Sequence, residues 1–163
     1  SHLAVRRLYH APELRRFVAD CVGVEALHEY GDPLGHLVFN ILRPGCQHPW
    51  HFDNNDFVVS LLVRAAAAGG RFEYCPGLRS AGDENLSGVA AVLEGDRRPV
   101  RTLNLEPGAL QLFFGRNALH RVTRVEGGGD RCSLILGYAA RPGVVSDPAR
   151  TRRLFGRTGE VRA

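Results

Sequence analysis

The sequence predicts a mainly β domain of double-stranded β-helix form, a jelly roll of cupin-like shape, with a supporting helix near its N-terminal end. Three observations predict it. Short strand-like runs recur at regular spacing with Gly/Pro turns between them, the pattern of sandwiches and barrels. No internal repeat or linker divides the chain, and 163 residues suffice for one domain with a real core. Metal-ligating residue types also fall on strand-like segments far apart in the chain, which suits a metal site held between two sheets.

The elements follow in order. Residues 12–30 read as a helix, with Pro12 in the first turn and Leu14, Phe17, Val18 and Cys21 at helical spacing; Gly23 limits or ends it. Gly31-Asp32-Pro33 is a turn. Residues 37–42 form an apolar strand, and after the Pro44-Gly45 turn a second strand leads to His51 and Asp53. Residues 57–63 read as a buried strand, 65–70 as a loop and 71–74 as a short strand. Asp83 is expected to cap a short helix carrying Leu86, Val89, Ala90 and Leu93, with Gly95 ending it. Residues 100–105, 109–114, 120–125 and 131–139 are four more strands. The turns between them are Pro107-Gly108, Gly115-Arg116-Asn117 and Gly127-Gly128-Gly129-Asp130. The domain is expected to span 1–149. An Arg-rich tail, 150–163, with Arg150, Arg152, Arg153, Arg157 and Arg162, follows as a solvated or disordered end.

Composition narrows the function classes. Hydrophobic content of 44% is ordinary for a globular protein, and no apolar run reaches the roughly 18 residues of a membrane span. All Lys+Arg positions are Arg, and the net charge is +4. The basic tail is the one feature that points toward nucleic acid, and a solvated end explains it better. The chain starts Ser1-His2 and contains no Met, which reads as a trimmed or tagged piece and leaves open whether N-terminal residues are missing. Cys21, Cys46, Cys75 and Cys132 form neither a C-x-x-C pair nor a disulfide framework, so a reduced, cytoplasmic protein is expected.

The chemistry centres on Trp50-His51-Phe52-Asp53. On an extended strand, residues two apart point the same way, so His51 and Asp53 share a face and Phe52 packs behind. His120, in Leu119-His120-Arg121-Val122, is the best third ligand. Two His and one carboxylate on one face of an octahedron leave positions open, the facial triad of non-haem Fe(II) oxygenases. A lone H-x-D tripeptide is a weak signal. It gains weight from Arg131-Cys132-Ser133, where a guanidinium fork and a hydroxyl on one strand face suit the far carboxylate of a dicarboxylate co-substrate. Arg121 and Arg124 compete for that role. Arg121 has the wrong strand parity relative to His120, and Arg124 lies close to the Gly-rich turn.

These five residues, in this order and spacing, resemble the Fe(II)/2-oxoglutarate-dependent dioxygenases over residues 36–143. The runs 50–59, 69–74 and 115–122 are similar to the subgroup of amino-acid halogenases and their hydroxylase relatives. The resemblance implies the double-stranded β-helix, with Fe(II), 2-oxoglutarate and O2 as cofactor and co-substrates, and release of succinate and CO2. His51, Asp53 and His120 would be metal ligands and catalytic residues, with Arg131, Ser133 and Asn40 holding the co-substrate. Halogenating relatives carry Gly or Ala where Asp53 stands and bind chloride there, so this chain is expected to hydroxylate.

A small polar substrate, a free amino acid or derivative, follows from the same resemblance. His48 and Asn54, beside the ligands, are candidate substrate contacts. An exposed loop histidine and a turn asparagine are the alternatives, and Trp50 reads as a core or rim aromatic. Two other readings remain open. One is a cupin-like metalloenzyme that does not use 2-oxoglutarate, although the usual His cluster with a nearby Glu is missing. The other is a nucleic-acid- or protein-directed demethylase or hydroxylase, or a binding module, for which the basic tail is the only support. No membrane partner is expected.

Overall fold

The computed structural model describes residues 2–158. In chain order its elements are α1 (His2–His10), α2 (Pro12–Val22), β1 (His28–Glu29), β2 (Leu37–Leu42), β3 (His48–His51) and β4 (Val58–Arg64). There follow β5 (Ala68–Gly69), β6 (Phe72–Cys75), α3 (Leu86–Leu93), β7 (Arg101–Leu103) and β8 (Leu110–Phe113). The chain continues through β9 (Leu119–Val122), β10 (Val125–Glu126), β11 (Arg131–Leu136), β12 (Tyr138–Ala139) and α4 (Pro148–Phe155). They form two compact units, one of Ser1–Phe39 with Leu134–Ala163, the other of Asn40–Ser133. No helix among the described residues is long and apolar enough to cross a membrane.

In the first unit, α2 is shorter than the expected 12–30. Gly23 takes a left-handed φ of 72° and its N–H bonds back to the Ala19 carbonyl, which closes the helix at Val22. From His28 the chain is extended and pairs antiparallel with β12. The helix α1, not expected from sequence, is held through Tyr9. Its ring stacks on Tyr138 at 5.0 Å, and its hydroxyl donates to the Gly137 carbonyl at 2.9 Å. The Arg-rich segment is also more ordered than a tail. Asp147 caps α4 by accepting from the Arg150 N–H, and the buried Thr151 hydroxyl donates to Asp32 at 3.2 Å. Arg162 lies outside the described residues.

The second unit carries two four-stranded sheets, ordered β2-β11-β4-β8 and β3-β9-β6-β7, with β2 and β11 entering through Asn40–Leu42 and Arg131–Ser133. Their inner faces meet in a core of Leu42, Phe72, Val122 and Val125, onto which Phe113 and Leu103 pack. This is the expected mainly β, double-stranded form. Several boundaries moved for local reasons. The expected loop 65–70 contains β5, which pairs with β10, so the expected strand 120–125 is broken into β9 and β10. Gly69 permits the pairing, since a Cβ there would lie 2.0 Å from the Arg124 carbonyl oxygen. The cap of α3 is Asn85, not Asp83. Asn85 sits at φ 45° and accepts from the Gly88 N–H, while Asp83 accepts from the Asn85 N–H. Asn tolerates the left-handed region better than most residues.

Candidate metal centre

The site is built on a β-bulge. In the antiparallel pair β3–β9, His48 stands opposite Val122 and His51 opposite His120, so three steps on β3 match two on β9. That extra residue turns His48 onto the same face as His51, which spacing of three on a regular strand would forbid. His51 and His120 meet with ring centroids 4.1 Å apart. Asp53 does not lie on the strand as expected, since β3 ends at His51. It is aimed instead by its backbone, whose N–H donates to the Gly115 carbonyl at 3.0 Å.

His51, Asp53 and His120 bring one donor atom each to within 4.8 Å of one another. His51 Nε2 is 3.7 Å from Asp53 Oδ1, and His120 Nε2 is 3.4 Å from Asp53 Oδ2. Donors around one first-row ion, at bonds near 2.1 Å, stand roughly 3–4 Å apart. The tautomers are fixed from behind. His51 Nδ1–H donates to the Pro49 carbonyl and His120 Nδ1–H to the Ala118 carbonyl, each at 2.8 Å. A carbonyl only accepts, so in the neutral ring each Nε2 is a bare lone pair turned on a carboxylate. Burial pushes the His120 imidazole below its ordinary pKa, with Asp53 opposing. Two lone pairs and a carboxylate repel one another unless a cation sits among them. Asp53 Oδ2 is moreover buried without a hydrogen-bond partner among the described residues. An orphaned charged acceptor costs more than the roughly 1–3 kcal/mol of a neutral one. The donor set of two imidazoles and one carboxylate, with positions left over, fits Fe(II).

The walls are aromatic. His120 lies between Phe72 (centroids 5.6 Å) and Phe113 (4.9 Å), and its side chain is only 4% exposed, against 37% for His51. Beside Phe72 opens a cavity of about 340 Å³, lined also by Gly70, Leu103, Asn104, Leu105 and Arg131. Arg131 and Ser133 share a face of β11, as their spacing predicts, and both are buried. Arg131 donates Nε–H to the Gly70 carbonyl at 2.9 Å and Nη1–H to Ser133 Oγ at 3.3 Å. No carboxylate pairs with it among the described residues, and burial lowers its pKa from the usual arginine value. A buried guanidinium with free donors and no counter-ion calls for an anion.

The competing arginines are engaged elsewhere. Arg121 bonds Glu73 at 2.7 Å, and Arg124 donates to the Gly45 carbonyl. His48 is half-buried and 6.1 Å from the His51 ring. Its pKa is lowered by burial first, then by His51, Arg131 and His120, with Asp53 opposing. Asn40 is half-buried on the same face of β2 as Leu42. Asn54 is exposed, and its backbone carbonyl accepts from Arg116. Trp50 and Phe52 pack on the cluster of Cys75, Val92 and Leu119, the face away from the donors.

Sequence reasoning missed two features. Gly115 reads there only as a turn residue. The buried Glu73, bridging Arg97 and Arg121 behind β9, gives no sign except its strand register opposite Arg121.

The sequence matches the Halogenase D family over residues 1–152. No curated protein matches it in sequence. Solved structures do. An oxidoreductase of the 2OG-Fe(II) oxygenase family from Burkholderia pseudomallei aligns with a TM-score of 0.60 at 19% identity, over 86% of this chain and 57% of that one. AviO1 from Streptomyces viridochromogenes Tue57 gives 0.62 at 20% identity, over 82% and 60%. PvcB, an Fe, alpha-ketoglutarate dependent oxygenase from an isonitrile synthetic pathway, gives 0.52 at 13%, over 77% and 70%. At these identities the likeness is one of fold, and this chain spans less than two thirds of the length of the first two. The family match covers most of the sequence, and the likeness of fold accompanies it: the chain belongs to the Halogenase D family.

Proposed function

We propose that this protein is an Fe(II)- and 2-oxoglutarate-dependent hydroxylase of a small polar substrate, a free amino acid or close derivative. The observation that carries the reading is the Asp53 carboxylate set between two bare imidazole nitrogens. When bound, iron with 2-oxoglutarate and O2 supplies the oxidant for a substrate C–H bond, and succinate and CO2 leave. The chain's own part is to bind, orient and exclude. His51, Asp53 and His120 hold the ion by three of its positions. The Arg131 fork, backed by Ser133 Oγ, takes the far carboxylate of the 2-oxo acid, and Asn40 is assigned to the same co-substrate. Phe72 and Phe113 keep water off the His120 side.

Asp53 also decides the outcome. It fills the coordination position that halogenating relatives leave for chloride, so the substrate gains oxygen rather than chlorine. His48, turned inward by the bulge, is the stronger of the two substrate contacts, and Asn54 the weaker because it is exposed. Four free cysteines suit a reducing cytoplasm.

The test is incubation with Fe(II), 2-oxoglutarate, chloride and an amino-acid panel, read by mass. The expected product is heavier by one oxygen, with stoichiometric succinate. A chlorinated product overturns the role of Asp53. Oxidation of a nucleobase or a peptide with every free amino acid untouched overturns the substrate class. Turnover without succinate release points to a cupin-like enzyme.

A further inference from the structure

Gly115 is the residue in contact with the candidate centre whose identity the backbone does not explain. Its φ is not in the left-handed region, unlike those of Gly108 (φ 93°) and Gly127 (φ 75°) in neighbouring turns. Its carbonyl accepts from the Asp53 N–H, a bond any residue could supply. The constraint is steric. A Cβ at position 115 would stand 2.0 Å from Asp53 Oδ2, 2.8 Å from Cγ and 3.0 Å from Cβ. Oδ2 is the same buried oxygen that has no hydrogen-bond partner among the described residues. The carboxylate is thus seated in the space a side chain at 115 would fill, and rotation alone does not free it, because Cγ and Cβ are crowded too.

We infer that Gly115 is the positioning residue for Asp53: its missing side chain is the seat that presents the carboxylate to the metal. The inference rests on the metal-centre reading. A methyl group here expels Oδ2 from its place beside His120 Nε2 and leaves two imidazoles without their carboxylate. The residue thereby controls whether the third ligand position belongs to the protein or is open to an external anion. A glycine chosen for its turn would instead tolerate Ala, since its φ suits any residue.

Two cycles test this, using Co(II) as probe metal and the variants G115A, D53G and D53G/G115A. The first reads thermal unfolding without metal. G115A should lower Tm, and D53G/G115A should regain most of that loss, because removing the carboxylate makes room for the methyl. The second reads Co(II) affinity and its visible absorption. G115A should weaken binding at least tenfold, within or beyond the range for outer-shell changes, and shift the spectrum toward that of D53G. The double variant should bind no worse than D53G. Added formate should restore the wild-type-like spectrum in D53G but not in D53G/G115A, where the methyl occupies the seat. Wild-type affinity in G115A, or losses that multiply in the double variant, overturns the inference alone. Wild-type protein that binds no Co(II), or D53G that binds like wild type, overturns the metal reading and this one with it. If G115A does not fold, a double variant that folds supports the inference, and one that also fails overturns it.

Discussion

At the scale of single residues, the site is a set of paired lone pairs waiting for a positive charge. On the proposed reading, replacing either imidazole removes a ligand rather than a support. His51→Ala and His120→Ala should therefore lose Fe(II) affinity by more than the roughly 10–100-fold that an outer-shell change costs. Metal titration monitored by anaerobic absorbance or calorimetry checks this, and wild-type affinity in both variants would remove the assignment. Arg131 is proposed to answer to a different ligand. Its guanidinium is buried with no carboxylate partner among the described residues, whereas Arg124 is exposed and bonds the Gly45 carbonyl. A charge-assisted hydrogen bond is worth about 1.5–3 kcal/mol. Arg131→Gln should thus raise the 2-oxoglutarate KM about tenfold to a hundredfold while Fe(II) affinity stays put. If Arg124→Gln produces that split instead, the anion site belongs to the other arginine.

At the scale of elements, the strands carrying His51 and His120 are clamped from behind. Glu73 on β6 sits opposite Arg121 on β9 and also takes Arg97 at 2.6 Å, while the Arg121 guanidinium lies 4.7 Å from the Trp50 ring on β3. Burial pushes the Glu73 carboxyl up, and hydrogen bonds from Arg97 and Arg121 more than offset this, leaving its pKa below the ordinary 4.5. A carboxyl depressed on folding gives stability that is full above its unfolded value and lost as pH falls through the folded one. Glu73→Gln should accordingly be less stable than wild type at neutral pH, with the gap in Tm narrowing below about pH 4.5. A gap that stays constant across the acid range would show that the clamp does not depend on the charge. That His51, Asp53 and His120 come together, and that Arg131 and Ser133 share a face, was legible from the residue types and the spacing. The bulge was not, since register is set by pairing between β3 and β9 and leaves no mark in either strand alone. The parity argument hence aimed Asp53 along a strand that stops before it, while His48, read both as a substrate contact and as a loop histidine, lies on β3. The helix α4 was missed for a related reason. Its charge resembled a tail, while the contact that orders it, Thr151 to Asp32, joins residues distant in sequence.

At the scale of the molecule, every residue assigned to the metal and co-substrate falls in the unit Asn40–Ser133, so ligand binding should register as stability of that unit. The two ligands should act in a fixed order. Without a cation, the 2-oxo acid would bring its own oxygens against two bare nitrogens and a carboxylate, and Arg131 alone must hold it. With the cation in place, the same oxygens meet positive charge at both ends. A ligand at a hundred times its Kd stabilises by about 2.7 kcal/mol, which for a chain of this size raises Tm by about 5–10 °C. Co(II) should give such a rise by itself, and 2-oxoglutarate a further rise only when Co(II) is present. Arg131→Gln should keep the metal increment and lose the co-substrate increment, whereas His120→Ala should lose both. Scanning fluorimetry on the three proteins, with each ligand alone and together, reads all the terms. A full 2-oxoglutarate increment in Arg131→Gln, or one in wild type without metal, would show that the co-substrate binds away from the place where the Arg131 fork and the three donors would hold it together.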